Sequence, residues 1–384
     1  MKVVVAIDSF KGSLSTFEAG NAIKEGVLRV YPDAEVKVSP LADGGEGTVA
    51  ALIGALGGRM QTVTVHDPLG RPIGSAYGIV DDRATAILEM SAAAGITLID
   101  AKERNPLLTS TYGVGEMIAD AIARGCRKFI VGIGGSATND GGVGMLSALG
   151  FDFLDADGNP IANGAKGLSK LARIGVENVL PHLKDCEFSI ACDVKNPLCG
   201  KDGCSAVYGP QKGATEETVA LMDAWLGHYA NLTRTVFPHA DKDYPGAGAA
   251  GGMGFAFLSY LGGKLRSGIE LVIETTELER LICDADVVVT GEGRLDAQSC
   301  MGKAPIGVAT AAKRHGKPVI AFSGCVADGA RACNDHGIDA YFPILQAPCT
   351  LEFAMDCQNA AENLVKTAEQ AFRLVKCFGG TDEK

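Results

Sequence analysis

Short β-branched runs recur along this chain, and several end in a loop that carries acidic residues, most often among glycines and small hydroxyls. That rhythm restricts the fold more than any other feature. The fullest example is Lys128–Gly150, KFIVGIGGSATNDGGVGMLSALG. An apolar run ends there at Ile133, a loop with one carboxylate, Asp140, follows, and a helix-like run closes the stretch. Glycine lets a ligand approach the backbone, and its N–H groups can face an anion. The same residues also suit a tight strand–helix turn with no ligand, so this loop alone leaves both readings open. The recurrence favours the ligand. Lys2–Ile7 runs into Asp8–Ser13, Glu35–Ser39 into Pro40–Thr48, Phe188–Ala191 into Cys192–Leu198, and Asp286–Thr290 into Gly291–Ser299.

Taken in order, Lys2–Ile7 reads as a buried parallel strand. Ser15 and Glu18 form a capping-box pattern for a helix that buries Ala19, Ala22, Ile23, Val27 and Val30. Glu35–Ser39 is the second strand, and the helix Val49–Leu56 follows. This βαβα run predicts a parallel sheet with right-handed crossovers. From Met60 the pattern changes. Gln61–Val65 and Gly74–Val80 alternate around a turn at Asp67–Gly70, and Ala84–Met90 is another strand-like run, so this part reads as antiparallel. Helices are expected at about Gly113–Arg124, at Thr215–Val236 with Thr215 as cap, and from about Leu351 to Lys376. Strands return at Asp286–Thr290, Lys317–Phe322 and Ala340–Leu345.

Two strands before Met60 and three after Ala285 make the five parallel strands of a flavodoxin-like sheet, order 2-1-3-4-5. The expected organisation is therefore α/β. Residues 1–60 and 270–384 form the flavodoxin-like domain, residues 61–269 form a second α/β domain inserted into it, and the active site lies in the cleft between them. Two domains consecutive in sequence would leave the first with only two strands.

The chain has 384 residues, 47% hydrophobic and 21% charged, enough for a large core. Its net charge of −11, with no long basic run, argues against nucleic acid or an anionic membrane as the main partner. No stretch is long and apolar enough to span a bilayer, and the N-terminal apolar run is too short for a signal segment. A cytoplasmic setting follows as the expectation, in which the twelve cysteines stay reduced. No C-x-x-C or H-E-x-x-H occurs, which argues against zinc.

In an open parallel sheet, ligands bind outside the carboxyl ends of the strands at the switch point. For order 2-1-3-4-5 the loops there are Asp8–Ser13 and Gly291–Ser299, which supply Asp8, Lys11, Glu292, Arg294 and Asp296; the neighbouring loop adds Asp43 and Glu46. Each group has a structural alternative. Asp8 and Ser13 suit caps, Asp43 and Glu46 suit the N-terminus of the next helix, and Arg294 and Asp296 suit a salt bridge. Asp193 follows a strand as Asp140 does; Lys195 also suits a surface charge and Asn196 a turn. Gly132–Ala137 fits G-x-G-x-x-A after a strand, but Thr138–Gly142 breaks the helix a dinucleotide fingerprint needs. No Walker motif or protein-kinase signature is present. The six histidines lie away from these loops in sequence. Carboxylates for a divalent cation, glycine loops and lone cations suit phosphoryl transfer, which needs positioning and charge neutralisation more than a nucleophile.

Jointly, Asp8-Ser-Phe-Lys-Gly-Ser13, Pro40-Leu-Ala-Asp-Gly-Gly-Glu-Gly-Thr48, Gly132–Gly142, Cys192-Asp-Val-Lys-Asn-Pro-Leu198 and Thr290–Ser299 resemble the bacterial glycerate kinase family of the class I type. The resemblance spans nearly the whole chain. It implies ATP-dependent phosphorylation of D-glycerate with Mg²⁺, and a flavodoxin-like domain carrying an inserted α/β domain. The roles follow from residue chemistry. Lys11 and Arg294 neutralise the glycerate carboxylate or the transferring phosphoryl group, with Asp8 and Ser9 beside them on the substrate. Asp296 or Asp193 acts as base. Gly134, Gly135, Ser136, Thr138, Asn139 and Gly141 cradle the nucleotide phosphates, and Asp140, Asp43 and Glu292 are the candidate ligands for Mg²⁺. The product is expected to be 2-phosphoglycerate in preference to 3-phosphoglycerate, a choice set by sub-ångström placement. A nicotinamide-dependent hydroxy-acid dehydrogenase and a non-catalytic sugar-acid sensor are the alternatives from other classes.

Overall fold

The computed structural model describes residues 1–41, 45, 47–301 and 303–379. The chain divides into two compact units. One comprises Met1–Asp43, Ala50–Leu56 and Gly268–Lys384; the other comprises Gly44–Val49 and Gly57–Ser267. The first unit opens with β1 (Lys2–Ile7) and β2 (Glu35–Pro40). The second holds β3 (Arg59–His66), β4 (Pro72–Val80), β5 (Thr85–Glu89), β6 (Lys128–Gly132), β7 (Asp152–Leu154), β8 (Arg173–Gly175), β9 (Glu187–Ala191) and β10 (Lys264–Arg266). The first then resumes with β11 (Val287–Leu295), β12 (Val319–Val326) and β13 (Ala340–Pro343).

In the first unit the strands lie in the order β2-β1-β11-β12-β13, all parallel. Counted within the unit this is 2-1-3-4-5, the order the sequence predicts. Val3 to Ile7 are all buried, as expected where helices cover both faces of a parallel sheet. The helix Thr16–Val30 starts with a complete capping box. The Ser15 hydroxyl accepts from the Glu18 N–H, and the Glu18 carboxylate accepts from the Ser15 N–H at 2.8 Å. Its buried stripe of Ala19, Ala22, Ile23, Val27 and Val30 is the predicted one.

Two elements differ from the sequence reading. The single C-terminal helix divides into Leu351–Met355 and Cys357–Gly379, because Asp356 is extended and its carboxylate caps the Asn359 N–H at 2.9 Å. The stretch Gly291–Leu295, expected as a loop, continues β11. It pairs with β12 in the register Gly291↔Phe322, Glu292↔Ser323, Arg294↔Cys325 and Leu295↔Val326. Gly293 and Gly324 explain the misreading. A Cβ on Gly324 would lie 2.7 Å from the Gly293 carbonyl oxygen, so these glycines serve close strand approach.

The second unit is a mixed sheet, order β10-β9-β6-β5-β4-β3. The pairs β3–β4 and β4–β5 are antiparallel, as the alternation predicts, whereas β5, β6, β9 and β10 run parallel. Asp67 fixes the first turn by accepting the N–H groups of Leu69 and Arg71, each at 2.8 Å. The helix Glu216–Val236 is capped by Thr215 and buries Met222, Leu226 and Tyr229. The short antiparallel pair β7–β8 and the strand β10, three residues each, carry too little periodicity to be read from sequence. Among the described residues, no helix is long and apolar enough to cross a membrane.

The helices Thr16–Val30 and Cys357–Gly379 meet at Gly26, where a Cβ would lie 2.6 Å from the Val365 carbonyl oxygen and 2.7 Å from the Ala368 Cβ. Gly26→Val should therefore lower the stability of the first unit by roughly 1–3 kcal/mol through overpacking. Urea unfolding followed by circular dichroism checks this; an unchanged midpoint would mean that the two helices separate without cost.

Candidate active site

In the first unit, β1 exits into a loop that closes on itself. The Phe10 N–H donates to the Leu14 carbonyl at 2.8 Å and the Leu14 N–H returns to the Phe10 carbonyl at 3.1 Å. Phe10 and Leu14 are buried and anchor the loop, which leaves Lys11 exposed at its tip. The Asp8 N–H donates to the Gly291 carbonyl at 3.0 Å, joining this loop to β11. A cavity of about 440 Å³ opens here, lined by Asp8, Ser9, Lys11, Glu292, Arg294 and Asp296, with Ser13, Lys303 and Met355 among the remaining walls. The residues expected at the switch point of the sheet thus share one cavity.

Their electrostatics differ. Glu292 is only 9% exposed, and burial pushes its carboxyl above the usual carboxylate range. The Ser299 hydroxyl, which donates to Glu292, opposes that shift, as do Lys303, with Nζ 3.9 Å from Oε2, and Lys11. Asp296 accepts the N–H groups of Gln298 at 2.8 Å and Ser299 at 3.3 Å, and lies 3.2 Å from Arg294 Nε. The salt bridge anticipated as the structural alternative is therefore present, and its Arg294 side chain remains 65% exposed to the cavity and solvent. The sequence reading did not single out Lys303, which precedes the helix Ala304–Arg314 and its Pro305. A lysine just before Ala-Pro at a helix start was the available signal.

In the second unit, the parallel strands end in register. Glu89, Gly132, Ala191 and Arg266 stand side by side across β5, β6, β9 and β10. The Gly132–Gly142 loop leaves from this edge. Its two halves are unlike. Gly134 and Gly135 are exposed, whereas Thr138, Asn139, Asp140 and Gly141 are enclosed. The Gly141 N–H donates to the Gly251 carbonyl at 2.9 Å, and a Cβ there would meet Tyr229 at 2.9 Å. The Asn139 amide donates to the Ser205 hydroxyl at 2.8 Å. In this arrangement the enclosed residues face the protein interior, so the expectation that Thr138, Asn139 and Gly141 touch phosphate gives way to a structural part for them.

Asp140 is corrected in the same way. Expected as a ligand of Mg²⁺, it is wholly buried and its carboxylate takes four donors: the Thr111 N–H and hydroxyl, each at 2.9 Å, and the N–H groups of Gly142 and Gly144, each at 3.2 Å. Burial raises its pKa and those four hydrogen bonds act against the rise. Asp43, a second expected metal ligand, lies outside the described residues. Glu292 remains as a carboxylate on a cavity wall. Among the described residues, no three of His, Cys, Asp and Glu are gathered to hold a metal ion.

The loop after β9 carries Asp193 and Lys195, both exposed. Asn196 sets the turn, donating to the Asp202 carbonyl at 2.8 Å and accepting from the Tyr208 hydroxyl at 2.7 Å. Sequence reasoning also missed Lys212, which is 2% exposed and donates to the Ser136 hydroxyl at 2.7 Å and the Thr138 carbonyl at 2.6 Å. Burial lowers its pKa to about 8.

Comparison with known proteins points one way. A model of the glycerate kinase family matches residues 3–376. The chain is 48% identical to the glycerate kinase of Haemophilus influenzae, over 98% of this chain and 99% of that protein. It is 47% identical to the glycerate 2-kinase of Escherichia coli, over 96% of each. A crystal structure from Salmonella typhimurium LT2, of a protein provisionally called glycerate kinase 2, superposes with a TM-score of 0.90 at 46% identity and 98% coverage of both chains.

If Asp140 holds its loop together, Asp140→Asn places an amide NH₂ among N–H groups and removes the charge they solvate. The expected loss is roughly 3 kcal/mol of stability in the second unit, on the scale of hydrogen bonds to charged acceptors. Urea unfolding of the variant measures it, and a loss below about 1 kcal/mol would contradict the bracing role.

Proposed function

The chain belongs to the glycerate kinase family, and from that premise we propose that it transfers the γ-phosphoryl group of ATP to D-glycerate, with Mg²⁺, to give 2-phosphoglycerate. The observation that carries the reading is the family match over residues 3–376, which spans all five charged loops. The preference for the 2-hydroxyl draws support from the name of the Escherichia coli relative, a glycerate 2-kinase at 47% identity.

In this reading the first unit binds the acid. Lys11 and Arg294 face its carboxylate or the phosphoryl group in transfer, and Asp8 and Ser9 accept and donate hydrogen bonds at its hydroxyls. Placing cations beside a carboxylate offsets the repulsion that a chain of net charge −11 presents to an anion. The 2-hydroxyl oxygen attacks phosphorus in line with the bond to ADP, its proton passes to a carboxylate, and the bond to the ADP oxygen breaks. Asp296 and Asp193 are the proposed bases. Asp296 is oriented by two backbone N–H groups and by Arg294. The Gly134–Ser136 turn of the second unit, whose two glycines are exposed, receives the phosphates.

Magnesium usually takes one or two protein carboxylates and completes its shell with phosphate oxygens and water. Glu292 and Asp8, on the wall of one cavity, fit that demand. Bound there, the ion would supply charge neutralisation to the nucleotide phosphates. The cavity walls keep Glu292 shielded from bulk water, and Lys303 limits the charge it carries inward.

Phosphorus NMR of a mixture of the protein, ATP, Mg²⁺ and D-glycerate is expected to show ADP and 2-phosphoglycerate; no phosphoglycerate signal would end the proposal. Asp296→Asn and Asp193→Asn separate the two bases. The true base should lose about 10²–10⁴-fold in kcat while its melting temperature holds. Near wild-type turnover in both folded variants would remove both from the mechanism.

A further inference from the structure

We infer that Lys212 is a positioning residue for nucleotide binding: it fixes the Gly132–Gly142 loop from beneath and prepares Ser136 as a donor to a phosphate oxygen. The inference rests on the reading that this loop receives the phosphates.

Lys212 ends a short turn, Pro210–Lys212, and its side chain runs inward to the loop. An ammonium group only donates hydrogen bonds. Ser136 Oγ and the Thr138 carbonyl must therefore be acceptors in the contacts at 2.7 and 2.6 Å. Ser136 keeps its own proton, for which the described residues offer no acceptor. A serine hydroxyl that accepts from a cation is polarised towards stronger donation, so the proton it retains suits an anionic acceptor.

The backbone of the same turn is held from the other side. The Ile96 N–H donates to the Gly135 carbonyl at 2.9 Å, and the Ala137 N–H donates to the Ala94 carbonyl at 2.9 Å. Ser136 is thus gripped through its backbone neighbours and through its side chain, while Gly134 and Gly135 stay exposed. A phosphate arriving there meets a turn that needs little ordering.

A neutral side chain could brace the loop at lower cost, because burying an ammonium group is expensive. The ionisable groups that face Lys212 are Asp140, below the same loop, and the Cys204 thiol; both favour its charged form. Asp140 is already engaged by four donors of its own. The arrangement sets the Lys212 ammonium, with Asp140 facing it, behind a turn whose Gly134 and Gly135 are exposed.

The test compares Lys212→Met, which keeps the bulk, Ser136→Ala, which keeps the lysine, and Gly135→Asp, which sets a negative charge on the exposed turn. For the first two the expected result is a rise of about tenfold in KM for ATP, with KM for D-glycerate within about twofold of wild type and a melting temperature close to it. A purely structural strut would change both KM values together, or neither. Should Lys212→Met fail to fold, Ser136→Ala alone decides, since it retains the lysine. If Gly135→Asp raises KM for ATP and the other two do not, the inference about Lys212 is wrong and the phosphate loop stands. If none of the three changes KM for ATP, the loop does not receive the phosphates and both readings fall.

Discussion

A parallel strand cannot be followed directly by its neighbour; the chain must cross back over the sheet before the next strand begins. All exit loops of such a sheet therefore leave from one edge. That constraint decides where chemistry can gather in each unit. In the first, β1 and β11 are adjacent and parallel, so the Asp8–Ser13 loop lies beside the end of β11 and Asp296 although nearly 300 residues separate them, and they line one cavity. In the second, β5, β6, β9 and β10 end in one row, which brings the Gly132–Gly142 loop beside the Asp193 loop.

The two edges treat charge differently. The first keeps lysine, arginine and carboxylate side chains on a cavity wall, with Arg294 largely exposed and Asp8 and Glu292 nearly buried. In the second, the Gly132–Gly142 loop withdraws its charge. Asp140 is enclosed by four donors and Lys212 by two acceptors, and the part of this loop that faces outward is the bare backbone of Gly134 and Gly135. Under the proposed function these serve anions of different kinds. A small acid needs charged groups that reach it and fix its orientation. A polyphosphate, whose oxygens are many and whose charge is high, is well served by backbone N–H groups.

Much of this was legible in the sequence because the signals were local. The β-branched runs gave the strand count and with it the order of the first sheet. The Ser15–Glu18 pair gave the start of a helix, and the acidic glycine loops gave the cavity residues Asp8, Lys11, Glu292, Arg294 and Asp296. What failed depended on partners distant in the chain. Gly291–Leu295 reads as a loop until β12 is set beside it, because glycines that ease a strand's approach look like glycines that make a turn. Asp140 reads as a metal ligand until Thr111 is known to donate to it twice. Lys212 passes unnoticed because nothing in Pro210-Gln-Lys-Gly213 announces burial.

The withdrawn charges also explain why so much of the Gly132–Gly142 loop consists of residues that touch no solvent. A loop that offers backbone N–H groups to a ligand has no side chains with which to hold its own shape, and glycine is the residue least able to hold it. The rigidity must come from behind. Asp140 gathers the N–H groups of Gly142 and Gly144 and ties them to Thr111, Gly141 is fixed to Gly251, and Lys212 joins Ser136 to Thr138. The enclosed half of the loop is thus what allows the exposed half to be bare, and a side chain can matter to the chemistry there without reaching the ligand.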